Sequence, residues 1–187
     1  SSVKMLINGG SAQVNGNVFI SGCEVADSGT LNVSGAVSAF NMDVTNSAVV
    51  KVGGKASLKN VDITSSGVLE LSSGVLVNSA VIASKGAMTV AKGAVATNTV
   101  VSSGGSMTLN GTHRNGLVIA DGAVVSAGSG AVIEFALEDA VPGSFMVIGL
   151  DKLQGAAPTY TITAAKDPAA GNYYLAVASD LSGKSIT

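Results

Sequence analysis

Apolar and polar positions alternate along this chain in short stretches that return at a fixed interval. From Gly10, a unit boundary recurs every 19 residues as far as Gly105, and the next boundary is placed at Gly122, a step of 17. Two and four residues after each boundary up to Gly105 the side chain is apolar, and the residue between them is polar. This period-2 alternation is typical of a strand with one buried face. The constant interval predicts stacked coils.

Further apolar positions form columns at constant offsets within the unit. One column holds Ile20, Ala39, Leu58, Val77 and Ala96, and another holds Val25, Val44, Ile63, Ile82, Val101 and Val118. Gly, Ser and Asn separate these stretches, so about three short strands are expected per unit. Because a five-residue strand cannot bury its face alone, like columns should meet between coils spaced about 4.8 Å apart.

The predicted fold class is therefore all-β. It is a right-handed parallel β-helix, a single-stranded solenoid with about 19 residues per coil and a β-rich C-terminal cap. The repeat domain is assigned to residues 1–130 and the capping or linker region to residues 131–187, where the period ends and all three prolines occur. Both chain ends fall in strand-like sequence, which suggests a segment of a much longer protein.

A polar column lies seven residues before each unit boundary. It consists of Gly22, Asn41, Asn60, Ser79, Asn98 and Asn115. Asparagine tolerates the left-handed conformation of a sharp corner, and stacked amides can bond to the coils above and below. We interpret Asn41, Asn60, Asn98 and Asn115 as a structural corner ladder.

An acidic column precedes the second of the apolar columns by one residue. Glu24, Asp43 and Asp62 occupy it in three consecutive coils, and Val81, Val100 and Leu117 continue it. Flanked by inward residues, these side chains should point outward, where stacked carboxylates repel one another or recruit a cation. The favoured interpretation is a solvated face. The alternatives are a surface calcium or partner site and, least favoured, a catalytic acid pair. The apolar continuation predicts an exposed strip that could be an interaction surface.

Composition limits the function classes further. The net charge is −2 and the ten Lys and Arg residues are scattered, which argues against nucleic-acid binding. No apolar run approaches the roughly 18 residues needed to cross a bilayer, so we expect no membrane insertion by this segment. Cys23 is the only cysteine, and we interpret it as a small core residue. We expect no cofactor and no metal site.

His113 and Arg114 are the only histidine and the only arginine, and they are interpreted as a pair of turn residues. The sequence shows no carboxylate cluster in their coil, with Asp121 as the only acidic neighbour nearby. A β-helix polysaccharide lyase or hydrolase would require two or more carboxylates converging on His113 or Arg114. We therefore predict a protein that is not an enzyme and keep the carbohydrate-active enzyme as the alternative.

The runs TNTVVSSGGSMTLNG, SGGVLVNSAVIASKGAMTV and SSGVLELSSG resemble the passenger repeats of AIDA-type self-associating autotransporter adhesins. The resemblance covers roughly residues 10–122. It implies an extracellular, cell-surface β-helix that adheres to itself or to a protein or glycan on a host or neighbouring cell. It also implies O-glycosylation of serines at turns, such as Ser28, Ser47, Ser66 and Ser103.

Overall fold

The structure is a computed structural model and describes residues 3–187, without the side chains of Val3 and Ala178. It consists almost entirely of strands. In chain order they are β1 (Val3–Asn8), β2 (Ser11–Asn15), β3 (Phe19–Ala26), β4 (Thr30–Ser34), β5 (Ser38–Val44), β6 (Val49–Val52), β7 (Ser57–Ile63), β8 (Val68–Leu71), β9 (Leu76–Ile82), β10 (Ala87–Val90), β11 (Val95–Val101), β12 (Ser106–Leu109), β13 (Thr112–Arg114), β14 (Leu117–Ile119), β15 (Val124–Ala127), β16 (Val132–Ala136), β17 (Val147–Ile148), β18 (Leu153–Gly155) and β19 (Thr159–Thr163). Three short 3₁₀ helices span Leu137–Asp139, Leu150–Lys152 and Ala178–Leu181. Within residues 3–187, no helix is both long and apolar enough to cross a membrane.

The strands form two sheets whose order follows the stacking of coils. One sheet runs β1-β3-β5-β7-β9-β11-β13-β16-β19, with β14 and β17 joined beside it, and the other runs β2-β4-β6-β8-β10-β12-β15-β18. Every named pairing is parallel, and within the regular coils paired residues lie 19 apart, as in Leu31–Val50 and Val50–Leu69. The predicted parallel β-solenoid is confirmed.

The apolar columns fill the interior of the stack. Leu58 pairs with Val77, which pairs with Ala96, and all three are at most 1% exposed. The two columns on the shorter strands are buried in the same way, as Leu69 and Leu71 show. Like residues meet from coil to coil because one period sets their register, so the hydrophobic core is a continuous rod rather than a separate cluster in each coil.

Each regular coil contains two strands rather than the three expected from the turn residues. The longer strand passes through its corner without losing its pairing, because a single left-handed residue turns the chain there. In β5 that residue is Asn41 (φ 55°), and the inward positions shift from Ala39 to Met42 across it. In the shortened coil, by contrast, the corner separates two strands, β13 and β14.

The corner residues contact the neighbouring coils through their side chains. Asn60 donates from Nδ2 to Oδ1 of Asn41 at 3.1 Å. Asn98 instead donates to Oδ1 of Asn78 at 3.0 Å, because Ser79 occupies the corner below it and carries no amide. Asn115 is the buried end of the column and bonds both backbone groups of Ala136, at 2.7 and 2.8 Å.

The shortened coil changes register twice. Val95 pairs with Thr112, a step of 17, whereas Val100 pairs with Val118, a step of 18. One residue is thus regained at the corner, beside Gly116 (φ 66°). The next boundary was predicted at Gly122, which is wrong: since Ser106 pairs with Val124, the residue equivalent to Gly105 is Ala123.

Two column assignments are wrong for the same reason. Val118, not Leu117, continues the outward column after Val100, and Leu117 is fully buried. Ile119, not Val118, then continues the inward column after Val101. The spacing of residues in the sequence gives only the total number of residues that the coil has lost. In the structure, the half of the coil before the corner is shifted by two residues and the half after it by one, because one residue is regained at the corner.

Stacking continues beyond the last regular repeat. β16, β17, β18 and β19 pair with β13, β14, β15 and β16 respectively, although the steps between partners lengthen to between 20 and 30 residues. Later segments add further contacts: Phe145 forms a parallel bridge with Tyr174, and Tyr160 forms one with Ile186. The 19-residue period is lost from the sequence after the last regular repeat because the connections between strands become longer. The strands nevertheless continue to stack coil on coil. The division of the chain into a repeat domain and a cap stays a prediction.

Candidate functional site

The acidic column lies on the outer surface as an in-register ladder. Glu24 pairs with Asp43 and Asp43 with Asp62, on β3, β5 and β7, and all three residues are exposed. Partial burial raises the pKa of the Asp43 carboxyl above its usual 3.8, and the charges of Asp62 and Glu24 raise it further. The column is therefore a patch of mutually repelling negative charge.

The acidic column lacks the arrangement of a metal centre. Among the described residues there is no group of three or more His, Cys, Asp or Glu side chains placed to hold a metal ion. The three carboxylates together offer six oxygen atoms, at the lower limit of the six to eight that calcium takes. The alternative of a surface calcium or partner site at Glu24, Asp43 and Asp62 stays a prediction.

The same column becomes apolar in the later coils. Asp62 pairs with Val81, Val81 with Val100, Val100 with Val118, and Val118 with Ile148. Val81 is 38% exposed and Ile148 is 48% exposed, while the two residues between them are half-buried. We call these four residues the apolar strip. It spans roughly 14 Å at the usual strand spacing.

The apolar strip has narrow, flat borders. On one side it is flanked by the small residues Ala83, Ser102 and Ala120, and on the other by the corner column. The small side chains on this side would let a flat partner surface approach Val81, Val100 and Val118 closely.

Arg114 forms a charge cluster that the sequence analysis missed. It lies on β13 rather than in a turn, so that prediction is wrong. Its guanidinium donates to Glu138 Oε1 at 2.6 Å and lies 3.0 Å from Asp139 Oδ2. Glu134 Oε1 is 4.0 Å from Arg114 Nε and accepts a hydrogen bond from Thr163 at 2.8 Å. Three of the chain's twelve acidic residues thus fall within six positions, a local concentration that could have been noticed.

His113 is buried in the core and was also wrongly predicted as a turn residue. It pairs with Ala96 on one side and Ile133 on the other, so it occupies an inward apolar column. It is 0% exposed, and neither ring nitrogen has a hydrogen-bond partner among the described residues. Burial lowers the pKa of His113 to about 3, because no partner compensates the charged form. The imidazole is therefore neutral at physiological pH.

A shallow pocket of about 460 Å³ adjoins Arg114 on the outer face of the longer strands. Its floor is formed by outward residues of β9, β11 and β13, including Leu76, Asn78 and Thr97, and Asp139 lines it from the first 3₁₀ helix. The helix projects here because the connection after β16 is longer than a regular turn. The pocket exists only where the shortened coil meets this connection.

Comparison with protein-family models, curated proteins and solved structures gives no match. The likeness to AIDA-type passenger repeats thus rests on the quoted sequence runs alone.

The turn serines, considered for glycosylation, lie on the surface, whereas Cys23 lies in the core. Ser28, Ser47, Ser66 and Ser103 all lie in turns and are exposed, so they are accessible positions for a modification. Cys23 is 3% exposed within the core, as predicted, and burial followed by the charge of Asp43 raises the pKa of its thiol to about 11. A protonated, buried thiol is chemically inert at neutral pH.

Proposed function

We propose that this chain is a non-catalytic β-solenoid of an extracellular cell-surface adhesin that associates with a second copy of itself. The observation that carries the proposal is the apolar strip, which runs in register along one face and is exposed at Val81 and Ile148. Parallel pairing keeps the strip continuous from the regular coils of Val81 and Val100 through the shortened coil to Ile148. Apolar side chains in water gain about 25 cal/mol per Å² when they are covered.

Charge determines how two copies would pack. In a parallel arrangement, the acidic columns of both copies would face each other, with three like-charged pairs at close range. An antiparallel arrangement about a two-fold axis between Val100 and Val118 places strip on strip instead. Val81 then faces Ile148 of the second copy, and the two acidic columns extend in opposite directions away from the contact. Such a two-fold contact is self-complementary and closes as a dimer.

A charge placed in the strip should abolish association. Val118→Glu would put a carboxylate at the centre of the contact, where it would have no partner after desolvation. We expect the wild type to sediment as a concentration-dependent dimer and Val118→Glu as a monomer at every concentration tested. Sedimentation velocity over a concentration series measures this.

The matched control is Val124→Glu, because Val124 is an exposed valine (46%) on the other sheet. It should dimerise like the wild type. A wild type that remains monomeric, or a Val124→Glu variant that loses association equally, would remove the basis of the proposal. Thermal melting of all three proteins shows whether each variant is folded.

One observation favours the carbohydrate-active enzyme as a second candidate. The structure brings two carboxylates, Glu138 and Asp139, onto Arg114, which is the arrangement that the alternative required. Both carboxylates are directed to the guanidinium, however, so neither is shown free to protonate a leaving group. Release of new reducing ends from oligosaccharides, lost in Asp139→Asn, would support catalysis over the non-catalytic proposal.

The proposed location and modification follow the likeness to surface adhesin repeats. The four turn serines point away from the core, so glycans there would not disturb the stacking of coils. Fractionation of the native cells followed by intact-mass measurement of the protein tests both points: a surface protein with added hexose or heptose masses supports the proposal, and an unmodified intracellular protein contradicts it.

A further inference from the structure

The pocket beside Arg114 is separate from the apolar strip and has its own chemistry. Leu76, which is 52% exposed, and the half-buried Val95 lie next to each other in one outward column. Asn78 and Thr97 occupy the neighbouring column, so apolar and polar rows run side by side across the floor. The pocket volume of about 460 Å³ falls within the roughly 300–1,000 Å³ that small-ligand sites occupy.

The charge cluster on Arg114 disfavours an anionic ligand at its end of the pocket. Arg114 carries the one positive charge, and Glu134, Glu138 and Asp139 carry three negative charges within 4.0 Å of it, which leaves the cluster at −2. The guanidinium already donates to Glu138 and lies 3.0 Å from Asp139 Oδ2. A phosphate, sulfate or uronate would therefore meet net negative charge at this end of the pocket, and the nearest other cation is Lys59, which pairs with Asn78 at the opposite end of the floor.

Neutral hydrogen-bonding groups remain available in the pocket. The hydroxyl of Ser57 has no hydrogen-bond partner among the described residues. Asn98 uses its Nδ2 on Asn78, so its Oδ1 can still accept, and the Nδ2 of Asn78 can still donate. Asp139, whose side chain is 64% exposed, can accept further hydrogen bonds beside its contact with Arg114. Hydrogen-bond donors and acceptors therefore both line the pocket.

An extended peptide fits the pocket less well than a polyhydroxylated ligand. Peptides that bind to sheets use free backbone groups at an edge strand. The strands under this pocket, β9, β11 and β13, each have a paired strand on both sides. Recognition must come from side chains, which can bond hydroxyl groups, and from Leu76 and Val95, which can contact the apolar C–H face of a sugar ring.

We propose that this pocket is a binding site for a neutral oligosaccharide. Asp139 accepts hydrogen bonds from adjacent hydroxyls, and Arg114 holds Asp139 in place as a positioning residue. Leu76 contacts the ring face, and Asn78 and Asn98 bond the remaining hydroxyls. The site lies across the corner column from the apolar strip, and Asn98 borders both, but no residue of the strip lines the pocket.

Binding to neutral hexaoses tests the proposal. The probes are maltohexaose, cellohexaose and chitohexaose in N-acetylated form, with hexagalacturonate as the anionic comparison and an uncharged six-residue peptide as the peptide comparison. Isothermal titration calorimetry should show saturable binding of at least one of the three neutral hexaoses. Neither hexagalacturonate nor the peptide should bind. Leu76→Ser and Asp139→Asn should each weaken that binding fivefold or more.

Leu6→Ser is the matched control, since Leu6 is an exposed leucine (66%) on β1, far from the pocket in the coil order. It should bind like the wild type. Absence of binding by every neutral hexaose, equal binding by Leu76→Ser and Leu6→Ser, or stronger binding of hexagalacturonate or the peptide would each overturn the proposal. Val118→Glu should retain binding, so failure of self-association and failure of this site can be told apart.

Discussion

Replacing Phe135 with alanine is expected to lower the free energy of unfolding by about 3–5 kcal/mol. Phe135 is 0% exposed on β16, and its ring stacks on Tyr160 at a centroid distance of 6.5 Å. The core rod has no room to collapse at this point, because β13 and β19 hold β16 from both sides. The substitution therefore leaves a cavity. Urea unfolding followed by circular dichroism measures the loss.

Phe145→Ala provides the control for side-chain size. Phe145 is 46% exposed and contacts only the edge of the stack, where its ring meets Tyr174 at 5.4 Å. We expect this variant to lose less than about 1 kcal/mol. If the two alanine variants were equally stable, β16 would not belong to the continuous core, and stacking beyond residue 130 would be contradicted.

Acidification is expected to destabilise the fold through His113. The imidazole titrates near 6.5 in the unfolded chain but only at about 3 in the folded protein. Between these values the unfolded state binds one more proton than the folded state, so stability falls as the pH falls. Each pH unit below 6.5 should remove about 1.4 kcal/mol, and the full contribution is present above 6.5. Urea midpoints between pH 7 and pH 4.5 measure this slope.

His113→Leu isolates the contribution, because it replaces the imidazole with an apolar side chain in an apolar column. The unfolding free energy of the variant should not contain the pH-dependent loss that His113 causes in the wild type. The difference in stability between variant and wild type should therefore rise by roughly 2–3 kcal/mol in favour of the variant as the pH falls from 7 to 4.5. Because the chain has one histidine, its ring resonances can be followed without ambiguity. The burial of His113 would be contradicted by either of two results. One is that the unfolding free energies of the wild type and His113→Leu change equally with pH, and the other is that the imidazole titrates near 6.5 in the folded protein.

The sequence predicted the regular part of the fold because its information there is local and repeated. An inward position such as Leu58 is followed one coil later by Val77, so a constant interval identifies the core without knowledge of any contact. The same reasoning placed Glu24, Asp43 and Asp62 in one column, and the structure has them paired in register.

The remaining errors occur where the interval changes. Because residues are lost before His113, this residue lies in the core rather than in the expected turn. The number of residues between boundaries does not show that one residue is regained at the corner beside Gly116. The cluster on Arg114 depends on Glu138 and Asp139, which come from a helix inserted after β16. Contacts across an insertion follow from its path in space, which the repeat pattern does not specify.

If two copies pack antiparallel along the apolar strip, disulfide trapping should join position 100 of one copy to position 118 of the other. In a Cys23→Ser background, an isotope-labelled Val100→Cys protein is mixed with an unlabelled Val118→Cys protein and oxidised, with Val124→Cys as the control. We predict that mixed dimers joined between positions 100 and 118 dominate by mass spectrometry, and that Val124→Cys forms no specific dimer. Predominance of 100–100 and 118–118 dimers, or trapping no more frequent than for Val124→Cys, would contradict antiparallel packing along the apolar strip.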